Sequence, residues 1–415
     1  MCSVLLRTVE PDDLDRLENK TVRVAADLYG DLLGSRLRHA VLTWARCTAR
    51  RKGEVSVDDL DTHRLVTLGM RNAMATGNWD GGRIGMTQTL SRYNPLATIA
   101  DLRLVRSSMC ARPGDGAARS IKPRLVGPSD AGLYDPFDSC GTQCGLAKTL
   151  AITAAVSGGS ERQLQDLRDS VAGALEGMVL PPEHARPGMV PLLVDGAPAA
   201  FASPSRMPDV RLALDGVRRA ACIRPSRAVM SIEETRGELR VWTLPGRLWR
   251  PMMHAEADAC TTSSWHEFVR GGLARMVDVA EAACGLARDA LELTSAAVLG
   301  PSAATVPFIT SNQGPRIAFQ CKMAKQAMSG RRPADWDRFR ASGGDSAHVL
   351  HYGQVPLVTT AAAQTLGLDS RERAASSGTN VIVAIASASG LNMEDAILVN
   401  KQAIQRGLFW STLLQ

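Results

Sequence analysis

Apolar residues recur at helical spacing, with charges between them, over Val22 to Leu37 and again over Leu42 to Arg51. That period predicts two amphipathic helical stretches, and residues 1–70 read as helical. Residues 71–106, RNAMATGNWDGGRIGMTQTLSRYNPLATIADLRLVR, run from a Gly-rich loop into an amphipathic helix broken at Asn94-Pro95. SSMCARPGDGAARSIKPR, residues 107–124, is a loop by its Pro, Gly and Ser content.

Beyond residue 156 the elements shorten. VPLLVDGAPAAFA (190–202) predicts a hairpin around Asp195-Gly196. ELRVWTLPGRLWRPM (238–252) predicts two strands around Pro245-Gly246, with Val241, Leu244, Leu248 and Met252 as core candidates. Pro208 to Ala221 and Trp265 to Leu293 read as helical. In NVIVAIASASG, Val381, Val383 and Ile385 alternate with Ile382, Ala384 and Ala386, so both faces are apolar and a buried strand is expected. The pattern as a whole is that of a mixed α+β, multidomain chain.

Composition sharpens this picture at a few points. A length of 415 residues exceeds one ordinary domain, and 45% hydrophobic residues can fill real cores. The net charge of +6 is compatible with nucleic acid without requiring it. Seven lysines stand beside 48 − 7 = 41 arginines, so the few that remain mark positions suited to a compact ammonium. Nine scattered cysteines without a CxxC pair argue against zinc and for a reduced, intracellular chain. No signal peptide is expected, since Arg7 and Glu10 interrupt the start, and the apolar run Val381 to Ala386 is too short to span a membrane.

Three stretches carry candidate chemistry. SNQGPRIAFQCKMAKQAM (311–328) starts a helix at a Gly-Pro corner and carries Arg316, Lys322 and Lys325 with no acid. It reads either as a receiver of a phosphate-rich ligand or as a basic surface helix. Arg112, Arg119, Lys122 and Arg124 set four cations against Asp115 in the loop at 107–124, which suits a strand-contacting finger or an ordinary solvated loop. Glu394 and Asp395 follow the apolar strand after a turn at Gly390-Leu391-Asn392. Neighbouring carboxylates cannot point the same way in extended chain, so at least one is expected to project into a site. They suit a hard cation such as Mg²⁺, or are acids in the first turn of a helix.

Taken together, these segments resemble the second-largest, beta-type subunit of multisubunit DNA-dependent RNA polymerases, in the eukaryotic, archaeal and large-DNA-virus style. The residues that carry the resemblance are ATGNW (75–79), GMTQTLSRYNPLATIADLR (85–103), KPR (122–124), CGLAKTLAI (144–152), ELRVWTLPGRLWRP (238–251), VPFITSNQGPRIAFQCKMAKQAM (306–328) and GTNVIVAIASASGLNMEDAILVNKQAIQRGLF (378–409). The resemblance implies a helical end of a lobe-like region at 1–70, a fork-like region at 71–155 and an external-like region at 156–300. Residues 301–415 would be the first part of a hybrid-binding domain, half of a double-psi β-barrel.

The implied function is DNA-templated RNA synthesis by two-metal nucleotidyl transfer. Arg316 would contact the triphosphate, and Gln326, with Lys325 beside it, the RNA near its growing end. Glu394 and Asp395 would lie at the catalytic centre, with Asp395 holding the Mg²⁺ that travels with the nucleotide. The resemblance further implies the largest subunit as holder of the first metal, other polymerase subunits, DNA template, RNA and nucleoside triphosphates as partners, and no membrane. The setting implied is intracellular: the nucleus, or the virion or host cell for a viral source.

Two departures qualify the expectation. Where the family has a Pro-Glu-Thr-Pro-Glu-Gly-like run, this chain has YDPFDSCGTQCGL (134–146), with no glutamate and Asp138 in place of the first acid. Wall, anchor, clamp and the second barrel half are expected on another polypeptide, and chain 1–415 alone is expected to be poorly soluble and inactive. The alternative is a catalytically inactive fragment that binds nucleic acid or another subunit, or a partial gene product.

Overall fold

The computed structural model describes residues 17–50, 64–79, 85–106, 124–127, 130–137, 144–223, 230–235, 237–254, 273–283, 290–292, 294–330, 347–368 and 377–414. In chain order the helices are α1 (Ala25–Arg50), α2 (Leu65–Thr76), α3 (Pro95–Leu102), α4 (Glu161–Leu175), α5 (Met207–Ile223), α6 (Val279–Ala283), α7 (Gly314–Gln326), α8 (Ala361–Thr365) and α9 (Lys401–Gln405). The strands are β1 (Leu104–Arg106), β2 (Ala147–Thr149), β3 (Ala155–Val156), β4 (Val190–Val194), β5 (Ala197–Ala202), β6 (Ser231–Thr235), β7 (Glu238–Trp242), β8 (Leu248–His254), β9 (Ala274–Asp278), β10 (Ala290–Glu292), β11 (Ala347–Leu350) and β12 (Ser411–Leu414). The chain is thus mixed α+β, as its pattern predicts. None of the helices among the described residues is long and apolar enough to cross a membrane.

Contacts divide the chain into two units of interleaved segments: 1–88 with 107–133 and 153–295, and 89–106 with 134–152 and 296–415. In the first unit, the two helical stretches expected over 22–51 are one helix, α1. Leu32 of α1 packs against Met70 and Ala73 of α2. The main core lies where α4 and α5 cover the sheet β5-β4-β7-β6. Leu164, Leu167, Val171 and Leu175 from α4 and Val210 and Leu214 from α5 meet Leu192, Leu239 and Val241 from the sheet.

The α4 helix is not among the elements expected above, yet its sequence carries two signals. Ser160 and Gln163 form a reciprocal capping box, and its four buried residues keep helical spacing. The hairpin at Asp195-Gly196 is present, with both residues at positive φ (50° and 83°), as a two-residue type I′ connection requires.

The two strands flanking Pro245-Gly246 are also present, but they enter different sheets. β7 pairs with β4 and β6, whereas β8 pairs with β3, β9 and β10. Val241, Leu248 and Met252 are buried, while Leu244, in the connection, is 37% exposed and is not a core residue. The helix expected over Trp265 to Leu293 is corrected where that span is described: residues 274–278 are β9, 290–292 are β10, and among the described residues of the span only the short α6 is helical. β9 lies against β8, and such ladder pairing overrides weak helical periodicity.

In the second unit, α3 starts at Pro95 with Asn94 as its N-cap. The Asn-Pro pair therefore opens the helix and does not break one: proline at the first position loses no hydrogen bond, and it forces its predecessor into extended backbone. β1 and β2 pair, as do β11 and β12. Buried Ile317 and Cys321 of α7 pack against Ala303, with Phe137, Leu299, Val306 and Ile309 around them.

The largest correction concerns 380–390. This stretch forms no ladder and is exposed: Val381 is 49%, Ile382 104%, Val383 72% and Ile385 100% accessible. Its apolar alternation marks side chains that need a cover, and no strand among the described residues supplies one.

Candidate functional site

The α7 helix is built as the sequence implies, with one difference. Gln313 is its N-cap residue but makes no side-chain cap. Pro315 has no N–H, and those of Arg316 and Ile317 both turn to the carbonyl of Gln313, at 3.0 and 3.1 Å. The first turn therefore offers few amides to an anion, and the positive charge here is carried by the Arg316 side chain.

Around the helix, Arg316, Phe319, Gln320, Lys322, Met323 and Gln326 are exposed, with Phe319 and Met323 52% and 55% accessible. At about 100° per residue, Arg316, Phe319 and Gln326 span an arc of roughly 80°. That arc opposes the face buried through Ile317 and Cys321. Lys325 sits roughly 180° from Arg316 around the axis, and it is half-buried. The structure thus brings Arg316 and Gln326 onto one face and sets Lys325 on another.

Glu394 and Asp395 are not in extended chain. Both have positive φ (53° and 65°), and the N–H of Ala396 reaches the carbonyl of Met393 at 3.1 Å. They form the two corners of a tight turn of the type I′ kind, with both side chains exposed. Left-handed backbone at two successive non-glycine residues costs about 1–2 kcal/mol each. The preceding turn is of the same kind, at Ser389-Gly390 (φ 51° and 71°), closed by Leu391 N–H to Ala388 O at 2.9 Å.

Asn392 braces the first of these turns. Its Oδ1 accepts from the N–H of Ala388 at 3.0 Å, and its Nδ2 donates to the carbonyl of Ala386. From the sequence Asn392 is expected only as a turn residue. Its Gly-x-Asn setting was the available signal, since asparagine bridges neighbouring backbone.

Oxygen donors from two carboxylates are the right chemistry for a hard divalent cation, but they are fewer than its coordination shell takes. Among the described residues, no group of three or more His, Cys, Asp or Glu is assembled to hold a metal.

Of the basic loop, Arg112, Arg119 and Lys122 lie outside the described residues, as does Asp138; Arg124 is half-buried. The segment before Asp138 is fixed beside α7's surroundings: the N–H of Phe137 bonds Asp135 Oδ1 at 3.0 Å, and the Phe137 ring joins the Ile317 cluster. Asn94 was also missed as a site element. It is fully buried, its Oδ1 accepts from Ala97 N–H at 2.7 Å, and its Nδ2 donates to the carbonyls of Ala324 (2.8 Å) and Ala327 (2.7 Å).

Comparison with known proteins bears on these same segments. Residues 302–415, which contain α7 and the Glu394-Asp395 turn, match RNA polymerase Rpb2, domain 6. Residues 88–156, which contain Asn94 and α3, match RNA polymerase Rpb2, domain 3. The chain is 28% identical over 452 residues to DNA-directed RNA polymerase subunit Rpo2 of Saccharolobus shibatae, covering 98% of this chain and 38% of that protein. It is 28% identical over 453 residues to DNA-directed RNA polymerase II subunit 2 of Arabidopsis thaliana, covering 96% and 36%. The RPB2 subunit of Schizosaccharomyces pombe RNA polymerase II is 26% identical over 484 residues, covering 97% and 38%. The chain thus spans well under half the length of these relatives. Two polymerase domains are thus matched in separate segments, and along nearly its whole length the chain is similar to archaeal Rpo2 and eukaryotic RPB2 subunits of DNA-directed RNA polymerases.

Proposed function

We propose that the chain serves DNA-templated RNA synthesis as part of a DNA-directed RNA polymerase, lending nucleotide- and RNA-contacting residues to a site shared with the largest subunit. The supporting observation is that the domain 6 match falls on α7, whose exposed arc carries Arg316, Phe319 and Gln326 and no acid. That arc, with Met323 also exposed on it, sets a cation, a ring and an amide where they can receive a triphosphate beside a base and a ribose. Arg316 stabilises negative charge as it develops on the leaving pyrophosphate. Gln326, almost three turns along the same face, reaches the RNA, with Lys325 on the flank adding positive potential.

Asp395, with Glu394, offers carboxylate oxygens to a Mg²⁺ shared with the triphosphate and the largest subunit. When bound, that ion neutralises the triphosphate, as one of two in nucleotidyl transfer. In this reading the exposed stretch 380–399 is strand material for one half of a double-psi β-barrel. Arg112, Arg119, Lys122 and Arg124 contact a nucleic-acid strand. The setting is intracellular, the nucleus or, for a viral source, the virion and host cell.

A second reading has its own support: YDPFDSCGTQCGL lacks the glutamate that the family brings toward the nucleotide. It makes the chain a binding module for nucleic acid or another subunit, without catalysis. Arg316→Ala in the assembled polymerase separates the two. A rise of about tenfold in the nucleotide concentration for half-maximal addition is expected from one lost charge-assisted contact. An unchanged nucleotide requirement removes Arg316 from the site, and an assembly that adds no nucleotide supports the binding module.

A further inference from the structure

The proposed role puts Arg316 and Gln326 on a single helix, so whatever fixes α7 fixes both. One side of α7 rests on apolar contacts through Ile317 and Cys321. Such contacts are non-directional, and they tolerate small rotation and sliding of a helix along its seat. The directional hold is at the other end. Asn94 donates both N–H groups of its side-chain amide, to the carbonyls of Ala324 and Ala327, from 230 and 233 residues away in sequence. Carbonyls at the C-terminal end of a helix lack intrahelical partners, and here those of Ala324 in the last turn and of the C-cap residue Ala327 are satisfied by one fully buried side chain.

Capping α3 needs only the Oδ1 of Asn94, which bonds Ala97 N–H at 2.7 Å. Serine, threonine or aspartate would serve that purpose equally. The amide donors are what distinguish asparagine, and both go to the end of α7, to Ala324 in its last turn and to the C-cap residue Ala327. The backbone around Asn94 is tied to α3: Thr98 Oγ1 donates to the carbonyls of Ser91 at 2.8 Å and of Asn94 at 3.3 Å, and Asp101 Oδ2 accepts from Ser91 N–H at 2.9 Å. The Asn94 backbone is extended (φ −151°, ψ 166°), as the following proline requires. We infer that Asn94 is a positioning residue for the nucleotide-contacting face of α7, fixing the helix's rotation and axial register through its last turn. This inference rests on the function proposed above.

The test uses Asn94→Ser and Asn94→Asp. Both keep an oxygen to cap α3. Serine is too short to bridge to Ala324 and Ala327, and aspartate sets a carboxylate against their carbonyls. Should the aspartate variant fail to fold, the serine variant is read. Hydrogen exchange in the full chain is expected to quicken about tenfold in the last turn of α7, with protection of α3 kept. In the polymerase assembled with this chain, the nucleotide concentration for half-maximal addition is expected to rise about tenfold with the maximal rate less affected. Combination with Arg316→Ala is expected to add little further, because both changes remove the same contact.

Unchanged exchange in α7 overturns the inference. So does faster exchange with an unaltered nucleotide requirement, or full additivity with Arg316→Ala, either of which leaves Asn94 a merely structural residue. If Arg316→Ala alone leaves the nucleotide requirement unchanged, the proposed function falls, and exchange then decides alone whether Asn94 holds α7.

Discussion

Arg218 donates from Nη1 to Oε1 of Glu281 at 2.8 Å, with both side chains buried. The same Oε1 accepts the N–H of Ile232 at 2.7 Å, and Arg218 also holds Asp215. One carboxylate thereby joins α5, α6 and β6 behind the main core. Burial pushes the Glu281 carboxyl above the usual carboxylate range, against the opposing pull of Arg218, Arg275 and the Ile232 N–H, with Asp278 adding repulsion.

The sign of that shift gives a pH prediction. A carboxyl whose folded pKa is raised binds more protons in the folded state than in the unfolded one, between the two pKa values. Its contribution is therefore full below the unfolded value, about 4.3, and shrinks as pH rises toward the folded one. The stability margin of the natural chain over Glu281→Gln, measured by urea unfolding, is expected to fall as pH is raised from acid. A margin that grows with pH would show the folded carboxyl to be depressed and overturn this.

Asp195 gathers three donors at the corner of its hairpin: Thr243 N–H at 2.7 Å, Thr243 Oγ1 at 2.6 Å and Arg168 Nε at 3.1 Å. It also holds positive φ, which asparagine tolerates and alanine does not. Asp195→Ala is expected to cost about 2–3 kcal/mol. Asp195→Asn should cost markedly less, since it keeps an acceptor and suits the backbone. Equal losses in thermal unfolding of the two variants would mean that the charge on Arg168 carries the effect, and the backbone does not.

The exposed isoleucines of 380–390 predict behaviour in solution. An uncovered apolar segment with unpaired backbone associates with copies of itself or with any available strand edge. Chain 1–415 alone is expected to bind a hydrophobic dye and to self-associate, and Ile382→Asp with Ile385→Asp should lower both. Light scattering on the two chains at matched concentration decides it; identical scattering clears this segment.

Asp395→Ala, in the assembled polymerase, is expected to weaken metal-dependent nucleotide addition by about a hundredfold, with template binding little changed. A titration of the divalent cation should show a raised requirement in the variant. Equal metal dependence in both enzymes removes Asp395 from the metal site.

Local features of the chain are legible in its residues. Asp-Gly specifies the turn at 195–196 because both positions need positive φ. Asn-Pro specifies the start of α3 once it is read as cap and first turn. The Gly-Pro corner specifies the start of α7, and its acid-free face identifies the candidate site. Misreadings arose where an element depends on its partner. Trp265 to Leu293 has weak helical spacing, yet β9 is drawn into strand form by β8. Leu244 alternates like a core residue but sits where the chain leaves one sheet for another.

Sequence alone determined where turns and caps fall, which faces are apolar and which residues carry charge, because these follow from backbone sterics and side-chain chemistry within a few residues. Only the tertiary structure decided what covers each face: the parallel pairing of β4 with β7, the separation of β7 from β8, the exposure of 380–390, and the bond from Asn94 to the end of α7 across 233 residues. Periodicity reports that a side chain needs a partner. The partner itself is fixed by the chain's path through space, and that path is a sum of long-range contacts that no local window contains.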